Sequence, residues 1–285
     1  MSLEKVIGNT PLVQLGENLY AKLETFNPTG SIKDRMASFI LAAAESENDI
    51  QAGDTIVEAS SGNTGIAFSM LGSIKGYKVK IIMPHNMSEE RKQMMRMFGA
   101  EIVEVGYNAF KDAIRLRDEL AAQDGYWSPN QFCNECNIAC HEQTTGKEII
   151  RQLFIEQKKE IDALICGAGT GGTIMGVHNA LIKINRQMKT VLVAPTEDAS
   201  THGIQGINDG ADFLVDRSLI DEEIKVTTDE AIARAKRLAR ENGFLVGISA
   251  GANVLASERW IEKNHPKGAV ITFLCDRGER YLSIY

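Results

Sequence analysis

Lys33 lies in the segment Asn27-Pro28-Thr29-Gly30-Ser31-Ile32-Lys33-Asp34-Arg35, a turn that feeds an apolar-periodic stretch beginning near Met36. Pro28 disfavours helical backbone at Asn27 and Gly30 frees the turn, so Lys33 is expected at or beside a helix N-terminus. Positive potential there, together with burial, penalises an ammonium and favours the free amine. A free amine is a nucleophile toward an aldehyde. Taken alone, the residue reads more simply as a solvated surface lysine.

Three further turns carry chemistry-bearing residues. Ser60-Ser61-Gly62-Asn63-Thr64-Gly65 crowds hydroxyls, an amide and backbone N–H groups between an apolar run and an apolar helix, Ile66 to Leu71. Such a turn is an anion cradle, or equally a plain loop. Gly167-Ala168-Gly169-Thr170-Gly171-Gly172-Thr173 fits G-x-G-x-x-G, a weak dinucleotide signal by itself. The acidic residue expected at the end of the next strand is replaced by Pro195-Thr196, although Glu197 is nearby. The alternative is a cup for one phosphate, lined by N–H groups and the hydroxyls of Thr170 and Thr173. No lysine follows as in a P-loop. Gly247-Ile248-Ser249-Ala250-Gly251 matches the nucleophile elbow G-x-S-x-G, with a strand expected before it and a helix after it. A hydrolase of that kind needs an acid and then a histidine downstream, yet His265 precedes Asp276 and no histidine follows.

The elements that position these turns follow from hydrophobic pattern. Apolar runs without alternation, Thr55 to Glu58, Val79 to Met83, Glu101 to Val105, Ile161 to Cys166, Thr190 to Ala194 and Ala269 to Cys275, predict strands covered on both faces. Met36, Phe39, Ile40 and Ala43 predict one helix stripe, and Ala231, Ala235 and Leu238 another. The second helix has capping-box spacing at Thr227 and Glu230 and a left-handed stop at Gly243. Strand and helix alternating throughout predict an α/β fold with mostly parallel sheets and right-handed crossovers.

The chain has 285 residues, enough for about two domains at roughly 150 residues each. Its 44% hydrophobic and 24% charged content places it among globular proteins. Lys+Arg at 31 against Asp+Glu at 38 gives a net charge of −7, which disfavours nucleic acid and anionic membrane as partners. No apolar stretch reaches the length of a membrane span, and Met1 to Thr10 lacks the apolar core of a secretory signal, so a cytoplasmic location is expected. Cys133, Cys136, Cys140, Cys166 and Cys275 read as reduced thiols. Cys133, Cys136 and Cys140 with His141 have the look of a metal set, but no second paired element accompanies them, and no metal is expected.

A reactive lysine, a lysine-free phosphate cup and a polar substrate turn together suggest an aldehyde cofactor bearing a phosphate, pyridoxal 5′-phosphate. At these residues the sequence resembles the cysteine synthases (O-acetylserine sulfhydrylases) of the fold-type II pyridoxal-phosphate enzymes, with cystathionine β-synthase as a relative. The resemblance runs nearly end to end: Ile7 to Leu12, Asn27 to Arg35, Ser61 to Gly65, Gln131-Phe132 with Asn134 and Asn137, Thr144 to Gly146, Gly169 to Thr173, Ile204 to Ile207 and Gly247 to Gly251 follow in the family's order. The ending Cys275 to Ser283 looks most like the B-type enzymes.

The resemblance implies two domains with central, mostly parallel sheets. Residues 1–136 form the N-terminal domain, with a smaller mobile part at about 35–136, and 137–285 the larger domain, on which about 11–34 are expected to pack. It makes Lys33 the Schiff-base lysine and places Asn63 on the cofactor's 3′-oxygen. Gly169, Thr170, Gly171, Gly172 and Thr173 would hold the phosphate and Ser249 would face the pyridine nitrogen. Ser60, Ser61, Gly62, Thr64, Gln131 and Gly206 would surround the substrate. A neutral hydroxyl at Ser249 cannot fix a proton on the ring nitrogen, which suits β-elimination better than transamination. The implied reaction is O-acetylserine plus sulfide giving cysteine and acetate through an aminoacrylate, with Lys33 as base at Cα, in a homodimer.

Glu135, Ile138 and Lys147 stand where the family usually has proline, and Thr196 where it often has glutamate. In Ile207 to Asp212 two aspartates replace small or apolar residues. Asp209, and with less support Asp212, is therefore a candidate for altered substrate choice, against the simpler reading of a solvated loop aspartate. Cysteine as substrate, with release of hydrogen sulfide, is the alternative activity. A serine or threonine dehydratase and a catalytically idle binding relative are the other readings.

Overall fold

The computed structural model describes residues 3–198, 201–207 and 213–285. In chain order its principal elements are β1 (Leu12–Gln14), β2 (Leu19–Leu23), α1 (Lys33–Glu47), β3 (Thr55–Ala59), α2 (Asn63–Lys75), β4 (Lys78–Pro84), α3 (Glu89–Met97), β5 (Glu101–Val105), α4 (Phe110–Ala121), β6 (Tyr126–Trp127), α5 (Cys136–His141), α6 (Lys147–Ile149), β7 (Ile161–Gly167), α7 (Gly172–Leu181), β8 (Lys189–Pro195), β9 (Glu222–Val226), α8 (Thr228–Asn242), α9 (Ile248–Asn264) and β10 (Ala269–Leu274). The chain divides into two units, one of residues 1–7 and 33–136, the other of residues 8–32 and 137–285.

In the first unit four parallel strands lie in the order β5-β4-β3-β6. One face is covered by α1, α2 and α3 through Met36, Ile40, Leu41, Ile66, Phe68 and Met95, the other by α4 through Ala113. The central strand β3 is buried along nearly its whole length, as its apolar run leads one to expect, whereas the edge strand β5 leaves Glu101 and Glu104 exposed. The buried stripe of α1 is Met36, Ala37, Ile40, Leu41 and Ala44. It is rotated from the pattern expected at Phe39 and Ala43, both of which are only half-buried, whereas Leu41 and Ala44 are buried.

In the second unit six strands lie in the order β1-β2-β10-β7-β8-β9. All pairs are parallel except the β1–β2 edge. Alternate residues of β2 and β10 feed two cores, Leu19, Ala21, Leu23, Val270 and Leu274 toward one face and Tyr20, Ile271 and Phe273 toward the other. The short β1, β2, β6 and β9 carry little continuous apolar pattern and escaped the sequence reading. At α8 the capping box forms in full, Thr227 Oγ1 accepting from the Glu230 N–H at 3.2 Å and Glu230 Oε2 from the Thr227 N–H at 3.0 Å, with Gly243 left-handed at φ 74°. Thr227→Ala is expected to cost about 1 kcal/mol, read as a lowered urea midpoint at unchanged slope; an unmoved midpoint would deny the cap any role.

Candidate functional site

Lys33 is the first residue of α1, half-buried. The residues leading to it are pinned by the chain's C-terminal segment. Ile32 N–H donates to Cys275 O at 2.9 Å, Ser31 bridges Asp276, and Gly30 O accepts from the Arg277 N–H at 3.1 Å and from Arg280 Nη1 at 3.1 Å. Gly30 sits at φ 81°, with Arg277 Cδ 2.7 Å from where a Cβ would lie. A larger residue is excluded there on both counts.

In the first unit β3 runs into the Ser60–Asn63 turn at its carboxyl end, where open α/β sheets bind ligands. Ser60 Oγ accepts from the N–H groups of Gly62 at 3.1 Å and Gly65 at 3.0 Å. Its oxygen braces the turn, and its proton is what it can offer a ligand. Asn63 begins α2. Thr64 Oγ1 donates to Gln131 Oε1 at 2.7 Å, and both residues are buried. Arg91, buried on α3, lies against this turn: its Cδ is 2.6 Å from where a Gly62 Cβ would be, and its Nη1 donates to Ser61 O at 3.4 Å. Sequence reasoning missed Arg91, since a charged residue in a run of charged residues gives no sign of burial. Behind the turn, Glu58 and Arg117 form a fully buried pair at 3.2 Å.

In the second unit β7 runs into Gly167–Gly171 and then α7, so backbone N–H groups at a ten-residue helix N-terminus face the turn. Asn137 Nδ2 donates to Thr170 Oγ1 at 2.9 Å, and His141 Nε2 lies 3.2 Å from Thr173 Oγ1. His141 Nδ1 lies 2.9 Å from Thr145 Oγ1. The histidine singled out for metals is thus built into the threonine cup. The π-helical turn Glu142–Gly146 that follows it presents Gly146 against Ala180 of α7, and Gly176 faces Ile138 O and His141 Cβ. Among the described residues no set of three His, Cys, Asp or Glu could hold a metal.

Ser249 lies in the first turn of α9, 4% exposed. No strand precedes it; only Val246 bridges Arg277, because three residues separate the caps Gly243 and Gly247. The nucleophile-elbow context is therefore incomplete. Gly247 N–H donates to Asp276 O at 2.9 Å, and Tyr281 Oη donates to Asp276 Oδ2 at 2.7 Å. Gly206, at φ 92°, lies beside Ser249, whose Oγ would be 3.9 Å from a Gly206 Cβ. A Cβ on Gly169 would in turn lie 2.8 Å from Gly206 O. Gly169, Gly206 and Ser249 are thereby brought together. Asn253, one turn beyond Ser249, accepts from the Gly167 N–H at 2.9 Å and ties α9 to the cup. Asp209 and Asp212 lie outside the described residues.

A family of pyridoxal-phosphate dependent enzymes matches residues 3–276. This chain belongs to that family. A cysteine synthase of Staphylococcus aureus is 39% identical, covering 99% of this chain and 95% of its own. A hydrogen sulfide-producing enzyme of Fusobacterium nucleatum is 37% identical with a TM-score of 0.92, covering 99% of each chain. A cysteine synthase of Entamoeba histolytica is 34% identical with a TM-score of 0.91, covering 99% of this chain and 89% of that one.

The residues fit the family's cofactor. Gly169 to Thr173 combines a positive helix end, two oriented hydroxyls and no acidic side chain, the donor set a phosphate dianion requires. The glycines keep Cβ atoms out of it: on Gly172 a Cβ would strike the Asn137 amide that holds Thr170. Gly172→Ala is accordingly expected to displace Asn137, cost about 1–1.5 kcal/mol of phosphate positioning and weaken retention of pyridoxal phosphate about tenfold, measured by dialysis against increasing dilution. Retention equal to the parent would show that Asn137 is dispensable.

Proposed function

We propose that this chain is a cysteine synthase, replacing the acetate of O-acetyl-L-serine with sulfide to give L-cysteine. The likeness to a cysteine synthase over 99% of the chain carries the reading, and the two turns supply the groups it needs. When bound, pyridoxal phosphate contributes an aldehyde carbon and an electron-withdrawing ring that stabilises charge at the substrate Cα.

The roles of this chain's residues are those that the family resemblance implies, and their chemistry is compatible with them. Thr170, Thr173 and the N–H groups of Gly169, Gly171 and Gly172 hold the phosphate. Asn63 would donate to the 3′-oxygen, and Ser249 would offer the ring nitrogen a hydroxyl, which would leave that nitrogen unprotonated and favour loss of a β-leaving group. Ser61 would hold the amino-acid carboxylate through its hydroxyl, Thr64 through its backbone N–H and Gln131 through its amide, with Ser60 adding its one proton, and Gly62 and Gly206 leaving room for the substrate. Lys33 would be the residue that holds the cofactor through its aldehyde carbon, and its free amine would take the substrate Cα proton and return it once sulfide has replaced acetate. We place the enzyme in the cytoplasm as a homodimer with no nucleic-acid or membrane partner; light scattering on the purified protein tests the dimer.

A second reading is favoured by the hydrogen sulfide-producing relatives, one of which was crystallised as an aspartate-to-asparagine variant with an α-aminoacrylate intermediate. Cysteine then serves as the amino-acid substrate and Asp209 or Asp212 assists its replacement chemistry. A product assay decides between the readings, offering O-acetylserine, O-phosphoserine and cysteine against sulfide, water and homocysteine. Cysteine formed fastest from O-acetylserine and sulfide supports the first reading, and faster sulfide release from cysteine the second. Selective loss of the cysteine reaction in Asp209→Ala would assign that aspartate.

A further inference from the structure

Glu58 is the penultimate residue of β3, with a side chain wholly removed from solvent. Its Oε1 accepts from the Ala59 N–H at 2.7 Å and from Arg117 Nη1 at 3.2 Å, and its Oε2 accepts from the Gln131 N–H at 3.3 Å. Gln131 in turn donates from Nε2 to Ala59 O at 3.4 Å and accepts from Thr64 at 2.7 Å. One carboxylate therefore holds Gln131 by its main chain and also holds the residue that receives its side chain. Nothing in the proposed chemistry uses Glu58 directly. A buried carboxylate is costly, and an apolar residue would fill the same strand position without that cost.

We propose that Glu58 is a positioning residue for the amino-acid carboxylate, acting through Gln131. The proposal rests on the reading of Gln131 as a substrate-carboxylate donor. The Gln131 amide has to present a fixed donor while its oxygen is occupied by Thr64, and that requires its backbone to be fixed as well. Glu58 supplies the acceptor that does so.

The amide isostere isolates this contact. Burial pushes the Glu58 carboxyl up to about 7, against the opposing pull of Arg117 and of the Ala59 and Gln131 N–H groups, so a neutral side chain is tolerated there. In Glu58→Gln the single amide oxygen turns toward the two donors on the Arg117 side. The NH2 group then faces the Gln131 N–H, donor against donor.

The test titrates the visible absorbance of the holoenzyme with O-acetyl-L-serine and with L-cysteine, and measures turnover beside it. Glu58→Gln is expected to raise the half-saturating amino-acid concentration about tenfold while kcat stays within about threefold and the absorbance of the resting enzyme is unchanged. Glu58→Asp, which keeps the charge but is one methylene shorter, is expected to show the same split. In a Gln131→Ala background Glu58→Gln should add no further loss. Unchanged half-saturation in both Glu58 variants, or losses that add in the double variant, would overturn the proposal. A parent enzyme whose absorbance answers neither amino acid would instead remove the reading of the site on which the proposal rests.

Discussion

Lys33→Ala is expected to lose product formation by at least about a thousandfold, because in the proposed chemistry one amine would carry two duties, nucleophile to the cofactor and base at Cα, and each general acid–base role alone is worth about a hundred- to ten-thousandfold. Borohydride reduction followed by peptide mapping should place the cofactor on Lys33 in the parent and nowhere on the corresponding peptide of the variant. The fold should survive. Lys33 is half-buried at the first position of α1, and the contacts that pin the preceding turn come from Gly30, Ser31 and Ile32. A variant keeping a tenth of the parent's turnover would move the catalytic amine elsewhere.

The largest effect on stability is expected from Arg117→Met. Glu58 and Arg117 are 0% and 4% exposed, and removing one partner of such a pair costs about 3–5 kcal/mol. The sign of its pH dependence follows from Glu58. Burial raises that carboxyl from 4.5 to about 7, so the folded chain keeps a proton that the unfolded chain has already released. The contribution of Glu58 to stability therefore falls as pH rises from about 4.5 to about 7 and is flat above. Without Arg117 the carboxyl loses its main opposing charge and the fall extends to higher pH. Urea midpoints of parent and variant should thus lie close together in mild acid and separate as the solution becomes alkaline. A gap independent of pH would assign Arg117 a packing role alone.

The two Glu58 variants and Arg117→Met probe different sides of one carboxylate. The isostere disturbs the bond toward Gln131 and is read in substrate saturation, whereas the arginine change uncovers the charge and is read in folding. This division is physical: a hydrogen bond at 3.3 Å to a main-chain N–H orients a neighbour, while the guanidinium at 3.2 Å offsets the desolvation of an ion.

Local features were legible in the sequence. The capping box at Thr227 and Glu230 depends on three adjacent residues and a β-region cap, the stop at Gly243 on the residue that adopts a positive φ most readily, and the glycine turn before α7 on small residues following a buried strand. The order of the motifs along the chain was enough to show their resemblance to a pyridoxal-phosphate family. What the sequence could not disclose are the partners that hold these turns in place. Asn137 reaches Thr170 across 33 positions, Asn253 reaches Gly167 across 86, and Arg117 reaches Glu58 across 59. No spacing rule links such residues, because a strand or helix repeat predicts only which face a side chain occupies, not which distant side chain will occupy the facing one. Arg91 and Arg117 gave no sign of their burial for the same reason: periodicity averages over a helix, whereas burial of a single cation is decided by the strand and turn that tertiary packing sets beside it.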